Sequence, residues 1–388
     1  MNKNITSTIK YIGVDDLTIK LFENQYIVPN GISYNSYLIE DEKIAIMDTA
    51  DARMTNEWFA NLEEALNGRE PDYLVSHHME PDHAALIAEV VKKYPKIKVV
   101  IGDKAAKMIK QFFPTSDLSE NIILVKDGDQ LSLGSRNLHF IAAPFVHWPE
   151  VVVSYDDKEK VLFSADGFGK FGALCNDEPW EDEARRYYIN ICGKYGTQVQ
   201  RLLKLAAPLE IETICPLHGP VLKENLGHYI ALYDTWSKYE PETDGVLIAY
   251  ASIHGGTKVV AEKVADMFRE KNLAEVVTID LCHDDMATAV SEAFKMKRLV
   301  VAASSYDASV FPPMYDFIHH LEIKAYQNRT IGIIENGSWA PTAARTMRPM
   351  FEGMKNITIV DPTVTIWSRL KDEDLPKLEA LVDAVAEN

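Results

Sequence analysis

In the C-terminal part of the chain, short unbroken apolar runs alternate with stretches whose apolar positions recur at helical spacing. The runs are GVLIAY (245–250), VVTIDL (276–281), RLVVAAS (298–304), TIGIIEN (330–336) and ITIVDPTV (357–364). They lack a polar face, the pattern of strands in a parallel sheet covered on both sides. The segments between them predict helices over 257–271, 286–296, 312–326 and 340–354, with a last one over 372–387. In the first of these, Val260, Val264, Met267 and Phe268 share one face. Five strand–helix units in a row predict a doubly wound domain with strand order 2-1-3-4-5.

Residues 1–240 follow another pattern. Strands come in runs, among them SYNSYLIE, KIAIMDTA, DYLVSH, KVVIG, HFIAAP, EVVVSY and VLFSAD, several joined by short polar turns such as YDDKEK at 155–160. Helices are expected at about 56–67, 83–95, 104–113 and 181–206. This mixture predicts two sheets with helices packed outside them. The charged stretch KYEPETDG (238–245) carries a Pro and a Gly and joins the two patterns. The expected domains are therefore residues 1–243 and 244–388.

Length and charge narrow the function. A chain of 388 residues fits two domains, each large enough for its own core. With 40 basic against 58 acidic side chains the net charge is −18, which disfavours nucleic acid and anionic membranes as partners. No apolar run reaches the ~18 residues of a membrane span, and the first residues lack the apolar stretch of a signal peptide, so a cytoplasmic location is expected. Four scattered cysteines, Cys175, Cys192, Cys215 and Cys282, form no C-x-x-C pair and read as reduced thiols.

The chemistry concentrates where strands end. After DYLVSH comes SHHMEPDHAA, with His78, Glu80, Asp82 and His83 inside six residues at a strand-to-helix turn. Packed together without a cation, such carboxylates and imidazoles would repel or take up protons. His147 follows HFIAAPFV, Asp166 follows VLFSA, and His218 follows ETICP. Four strand-end connections thus each offer metal ligands. His77 precedes the motif out of register and reads as structural, or as a donor to a ligand.

The order HxExDH, His147, Asp166, His218 resembles the metallo-β-lactamase superfamily, whose hydrolytic members carry HxHxDH. Glu80 in place of the second His, together with a downstream flavodoxin-like domain, resembles the flavodiiron proteins. The resemblance spans essentially the whole chain and includes SYNSYLI (33–39) and ARRYYINI (184–191). It implies an N-terminal αβ/βα metallo-β-lactamase-like sandwich followed by a flavodoxin-like doubly wound parallel five-stranded sheet. It also implies two iron ions: one on His78, Glu80 and His147, the other on Asp82, His83 and His218, with Asp166 bridging. A hard anionic oxygen at Glu80 suits iron independently of the resemblance. The alternative is a zinc metallo-hydrolase fused to a flavodoxin-like module.

The first turn of the C-terminal domain, Ser252, Ile253, His254, Gly255, Gly256 and Thr257, matches the flavodoxin pattern S/T-x-x-G-x-T. Backbone N–H groups at a helix start and neutral hydroxyls bind phosphate without a basic side chain. By the same resemblance Ser305, Tyr306, Asn336, Gly337, Ser338 and Trp339 flank a flavin ring, with Tyr306 and Trp339 suited to stack on it. FMN is expected rather than a dinucleotide, because no GxGxxG loop is present. The family's activity is reduction of dioxygen to water or of nitric oxide to nitrous oxide. Its electron donor would be a separate rubredoxin, or a reduced deazaflavin, and its assembly a head-to-tail homodimer or a dimer of such dimers. In the segment LFENQY (21–26), Glu23 and Asn24 stand where some members carry a His near the irons.

Overall fold

A computed structural model describes residues 4–271 and 273–388. The chain divides into two compact units, the first ending at Tyr233 and the second running over Asp234–Asn388.

The first unit is built on two sheets. One has six strands in the spatial order Ile9–Tyr11, Tyr37–Ile39, Ala45–Met47, Tyr73–Val75, Lys98–Gly102, Ile122–Val125. Its first three strands are antiparallel and its last four run parallel. The other sheet orders Gln130–Ser132, Asn137–Ala142, Val152–Asp156, Val161–Phe163 and Thr213–Cys215, with only the last pair parallel. Tyr37, Ile39, Met47, Val75 and Val100 of one sheet form a single core with Leu138, Phe140, Val161, Phe163 and Cys215 of the other. Ladder and side-chain burial thus act together: a residue facing inward is apolar, and the strand ends carry the polar chemistry.

Two expectations are corrected here. The helix expected at 83–95 is two helices, Pro81–Ala84 and Ile87–Lys93. The one expected at 181–206 is also two, Trp180–Ile191 and Gly196–Ala206, separated by a single 3₁₀ turn at Gly193–Tyr195. A further helix, Leu226–Ser237, was not anticipated; its mostly apolar sequence LGHYIALYDTWS lacks a clear polar stripe, so periodicity gives no signal.

The second unit is a parallel sheet ordered Val276–Asp280, Thr243–Ala251, Met296–Tyr306, Arg329–Asn336 and then Ile357–Ile359. That is the expected order 2-1-3-4-5. The fifth position differs in detail. The run ITIVDPTV is broken at Asp361-Pro362 into Ile357–Ile359 and Val364–Ile366, both paired to Arg329–Asn336. Pro362 has no N–H to give to a ladder. A two-residue strand, Ser309–Val310, pairs antiparallel with the end of Met296–Tyr306. The helix Gly256–Glu270 buries Val260, Val264, Met267 and Phe268, the stripe expected from spacing. No helix among the described residues is long and apolar enough to cross a membrane.

Candidate functional site

The seven expected ligand residues converge on one place at the strand ends of the first unit. His78 lies just beyond Tyr73–Val75. Glu80 is the residue before the helix Pro81–Ala84, whose first turn carries Asp82 and His83. His147, Asp166 and His218 follow Asn137–Ala142, Val161–Phe163 and Thr213–Cys215. They form two groups, His78, Glu80, His147 and Asp166 in one, and Asp82, His83 and His218 in the other, with donor atoms within 4.8 Å inside each.

Distances show how the groups join. His78 Nε2 is 3.1 Å from Glu80 Oε2 and 3.3 Å from Asp166 Oδ2. His147 Nε2 is 3.1 Å from Glu80 Oε2 and 3.2 Å from the same Asp166 Oδ2. On the other side, His83 Nε2 is 3.3 Å from Asp82 Oδ2 and 3.3 Å from Asp166 Oδ1. His218 Nε2 is 3.3 Å from Asp82 Oδ2 and 3.7 Å from Asp166 Oδ1. One oxygen of Asp166 therefore faces each group. This is the arrangement of a carboxylate shared by two cations.

The residues present fit a pair of metal ions on a second observation. Both carboxylate oxygens of Asp82 and of Asp166, both ring nitrogens of His83, and Nε2 of His218 are buried without a hydrogen-bond partner. Buried polar atoms are nearly always paired, and an unpaired charge inside a protein costs several kcal/mol. A cation satisfies all of them at once. Without a cation, protons are the alternative. Burial pushes Asp82 up to about 7; His83 opposes this, and the charges on Glu80 and Asp166 add to it. Burial opposes the charged form of His147, yet contacts with Asp166 and Glu80 outweigh it and raise the imidazole to about 9. Asp166 is held well below the ordinary carboxylate range; burial acts against this, but His78, His147 and His83 prevail.

The surrounding residues explain why these loops fold as they do. The SYNSYLI stretch ties down the His218 loop. Ser33 O accepts from His218 Nδ1 at 2.6 Å, Ser33 Oγ accepts from Gly219 N, and Asn35 Nδ2 donates to Pro216 O and Gly219 O. Gly219 is required there: its φ is +77° and a Cβ would lie 2.6 Å from Lys170 Cγ. Tyr187 of ARRYYINI packs on the His218 ring at 5.5 Å between centroids, and Phe22 and Tyr34 close over it. His77 is structural. Its Nδ1 is 2.5 Å from Asp48 Oδ2, its Nε2 is 2.7 Å from Ser154 Oγ, and its backbone N donates to Asp48 Oδ1. Ser, His and Asp stand here in hydrolase-like sequence, but all three are buried and Ser154 lies inside a strand. Asp48 and Glu150 were not expected from sequence, because each reaches the site across a long separation. Glu150 Oε1 sits 2.7 Å from His78 Nδ1.

The LFENQY segment also reaches the site. Glu23 and Asn24 form a turn with positive φ between Leu21–Phe22 and Tyr26–Ile27. Much of Glu23 faces solvent, while its carboxyl shelters beside Glu80; burial first, then the Glu80 charge, push it up to about 7 against the opposing charge of His147.

In the second unit the expected cofactor residues gather at the carboxyl ends of the central strands. Gly255, at φ +82°, precedes the helix Gly256–Glu270, and Ser252 Oγ is buried without a partner. Ile253 is partly exposed. Ser252, Ile253 and Gly255 line an open cavity of about 620 Å³ with Tyr250, Lys258 and Asp280; His254 lies in the same turn. Thr257 Oγ1 lies 3.0 Å from Ser304 Oγ. Ser305 has a structural task, since its Oγ accepts from Thr342 N and Ala343 N at the start of the helix Ala343–Glu352. Asn336 Nδ2 donates to Ser368 O, Gly337 N donates to Ile366 O, and Ser338 Oγ lies 2.8 Å from Ser368 Oγ. Tyr306 is exposed, and Trp339 is 82% exposed. Ser368 and the half-exposed Trp367 thus add a fourth loop that sequence alone did not indicate.

Comparison with known proteins agrees with this layout. A family model described as ODP family beta lactamase matches residues 32–219. Over 379 residues the chain is 27% identical to an uncharacterised protein of Methanocaldococcus jannaschii, covering 96% of this chain and 95% of that one. It is 27% identical to an anaerobic nitric oxide reductase flavorubredoxin of Aliivibrio fischeri, covering 87% of this chain and 70% of that one. The rubredoxin oxygen:oxidoreductase of Desulfovibrio gigas superposes with a TM-score of 0.92 at 24% identity, covering 99% of this chain and 97% of that chain. The chain has the two-unit fold of that oxidoreductase. The flavodiiron fold accounts for both units: a metallo-β-lactamase-like domain and a flavodoxin-like one.

Proposed function

We propose that the protein is a flavodiiron oxidoreductase that reduces dioxygen to water, nitric oxide to nitrous oxide, or both, with electrons relayed through FMN. Residues 1–243 form its diiron domain and residues 244–388 its FMN-binding domain. One observation carries the reading: Asp166 turns one oxygen to each of two ligand groups. His78, Glu80 and His147 would hold one iron and Asp82, His83 and His218 the other. When bound, the iron pair supplies a site for a diatomic oxidant and FMN supplies single electrons.

The chain's own residues prepare that chemistry. Glu80, Asp82 and Asp166 provide the anionic oxygens that favour the higher charge of oxidised iron. Phe22, Tyr34 and Tyr187 shield the His218 side from water. Gly255, Gly256 and Thr257 form a helix N-terminus that would hold the phosphate of FMN. Ile253, His254 and Ser252 line that turn, and Tyr306 and Trp339 provide exposed rings for the flavin. Two of the relatives named above are called a reductase and an oxidoreductase, which favours this reading over the zinc hydrolase.

The donor is a redox protein, and the names of two of these relatives support a rubredoxin; reduced deazaflavin is the other donor to try. The assembly is a head-to-tail homodimer, alone or paired into a dimer of dimers. Steady-state consumption of dioxygen and of nitric oxide, measured side by side with one reduced rubredoxin, tests the function. Turnover of at least one gas is expected. Failure with both gases and both donors contradicts it.

A further inference from the structure

The two ligand groups are not equivalent in what lies behind them. His78 Nδ1 is 2.7 Å from Glu150 Oε1, which also accepts the backbone N–H of Met79 at 3.0 Å. Glu150 is 4% exposed, and its other oxygen is buried without a hydrogen-bond partner. In the second group the corresponding partner of His218 Nδ1 is a neutral carbonyl, Ser33 O, and His83 Nδ1 has no hydrogen-bond partner. Among the described residues, a buried carboxylate thus stands behind His78, whereas neither His83 nor His218 has one.

We infer that Glu150 is a positioning residue that makes the two metal positions unequal. Its carboxylate accepts the Nδ1 proton of His78. That fixes the tautomer with the Nε2 lone pair turned toward Glu80 and Asp166, and raises the basicity of that nitrogen. The Met79 contact pins the same carboxylate to the backbone of the HxExDH turn. The position served by His78, Glu80 and His147 therefore holds its ion more tightly, and favours the oxidised ion more strongly, than its neighbour. The inference rests on the two-metal reading above.

The test uses full-length, iron-loaded protein and its Glu150→Gln variant, which keeps shape and an acceptor but removes the charge. Iron content is followed against rising EDTA. Wild-type protein is expected to lose its two irons in two separate steps. In the variant the tighter step moves about 10–100-fold toward easier release, and the other stays put. In redox titration followed by EPR, one of the two iron steps moves to higher potential in the variant. Identical release curves and potentials in the two proteins overturn the inference while leaving two bound irons, and so the site, intact. Wild-type protein that never binds two irons overturns the site itself. Should the variant not fold, wild-type protein loaded with Co(II) decides: a slowly exchanging, metal-shifted His78 Nδ1 proton is expected, and its absence contradicts the inference.

Discussion

The candidate metal cluster and the proposed flavin turns solve opposite electrostatic problems. In the first unit three carboxylates and four imidazoles are packed within a few ångströms, and several of their atoms have no partner but each other. In the second, the cofactor turns are built from backbone, hydroxyls and exposed rings, and much of their hydrogen bonding is already satisfied internally, as by Ser305 with Thr342 and Asn336 with Ser368. The first site is therefore incomplete without its ions, whereas the second can wait for its ligand. Metal binding and folding should be tightly linked, and flavin binding only loosely linked.

This contrast can be broken most sharply at Asp166. Replacing it with Ala removes the oxygen that each group faces. Turnover should fall to background and iron content should drop, while FMN content stays at wild-type level, as read by metal analysis and flavin absorbance. Equal loss of both cofactors would mean that the whole chain had unfolded. Glu80→His comes next. It restores the HxHxDH pattern and removes an anionic donor, so preference should shift from iron toward zinc by about tenfold or more in competitive loading. Full iron and full turnover in that variant would contradict the role given to Glu80.

The asymmetry also predicts different thermal behaviour. Stripping the metals should lower the stability of the first unit by about 4 kcal/mol per ion if free ion had stood a thousandfold above its Kd. Stripping FMN should leave the second unit folded with a smaller loss. Calorimetry of the two apo forms checks this, and the reverse order would refute the contrast. The smallest effect is expected at Trp339, which is 82% exposed. Trp339→Ala should leave stability within about 0.5 kcal/mol and weaken FMN binding by roughly 1 kcal/mol of lost stacking, measurable by fluorescence titration.

The sequence carried different parts of this picture with different clarity. The sheet of the second unit was legible because its strands are apolar throughout and alternate with helices. HxExDH was legible because its donors fall within one turn, and His147, Asp166 and His218 because each ends an apolar strand. Asp48, Glu150 and Ser368 were not, since their roles exist only through partners 29, 72 and 32 residues away. The helix Leu226–Ser237 was hidden by having too little polar contrast. Pro362 marked the break in the run at 357–364, but its neighbours' β-branched composition masked it.

The account stands on seven side chains enclosing two ions. Metal analysis of the purified protein, corrected for chain concentration, tests it most directly. About two irons per chain, both lost in Asp166→Ala, is the result expected. A single zinc per chain, unaffected by that substitution, would contradict it.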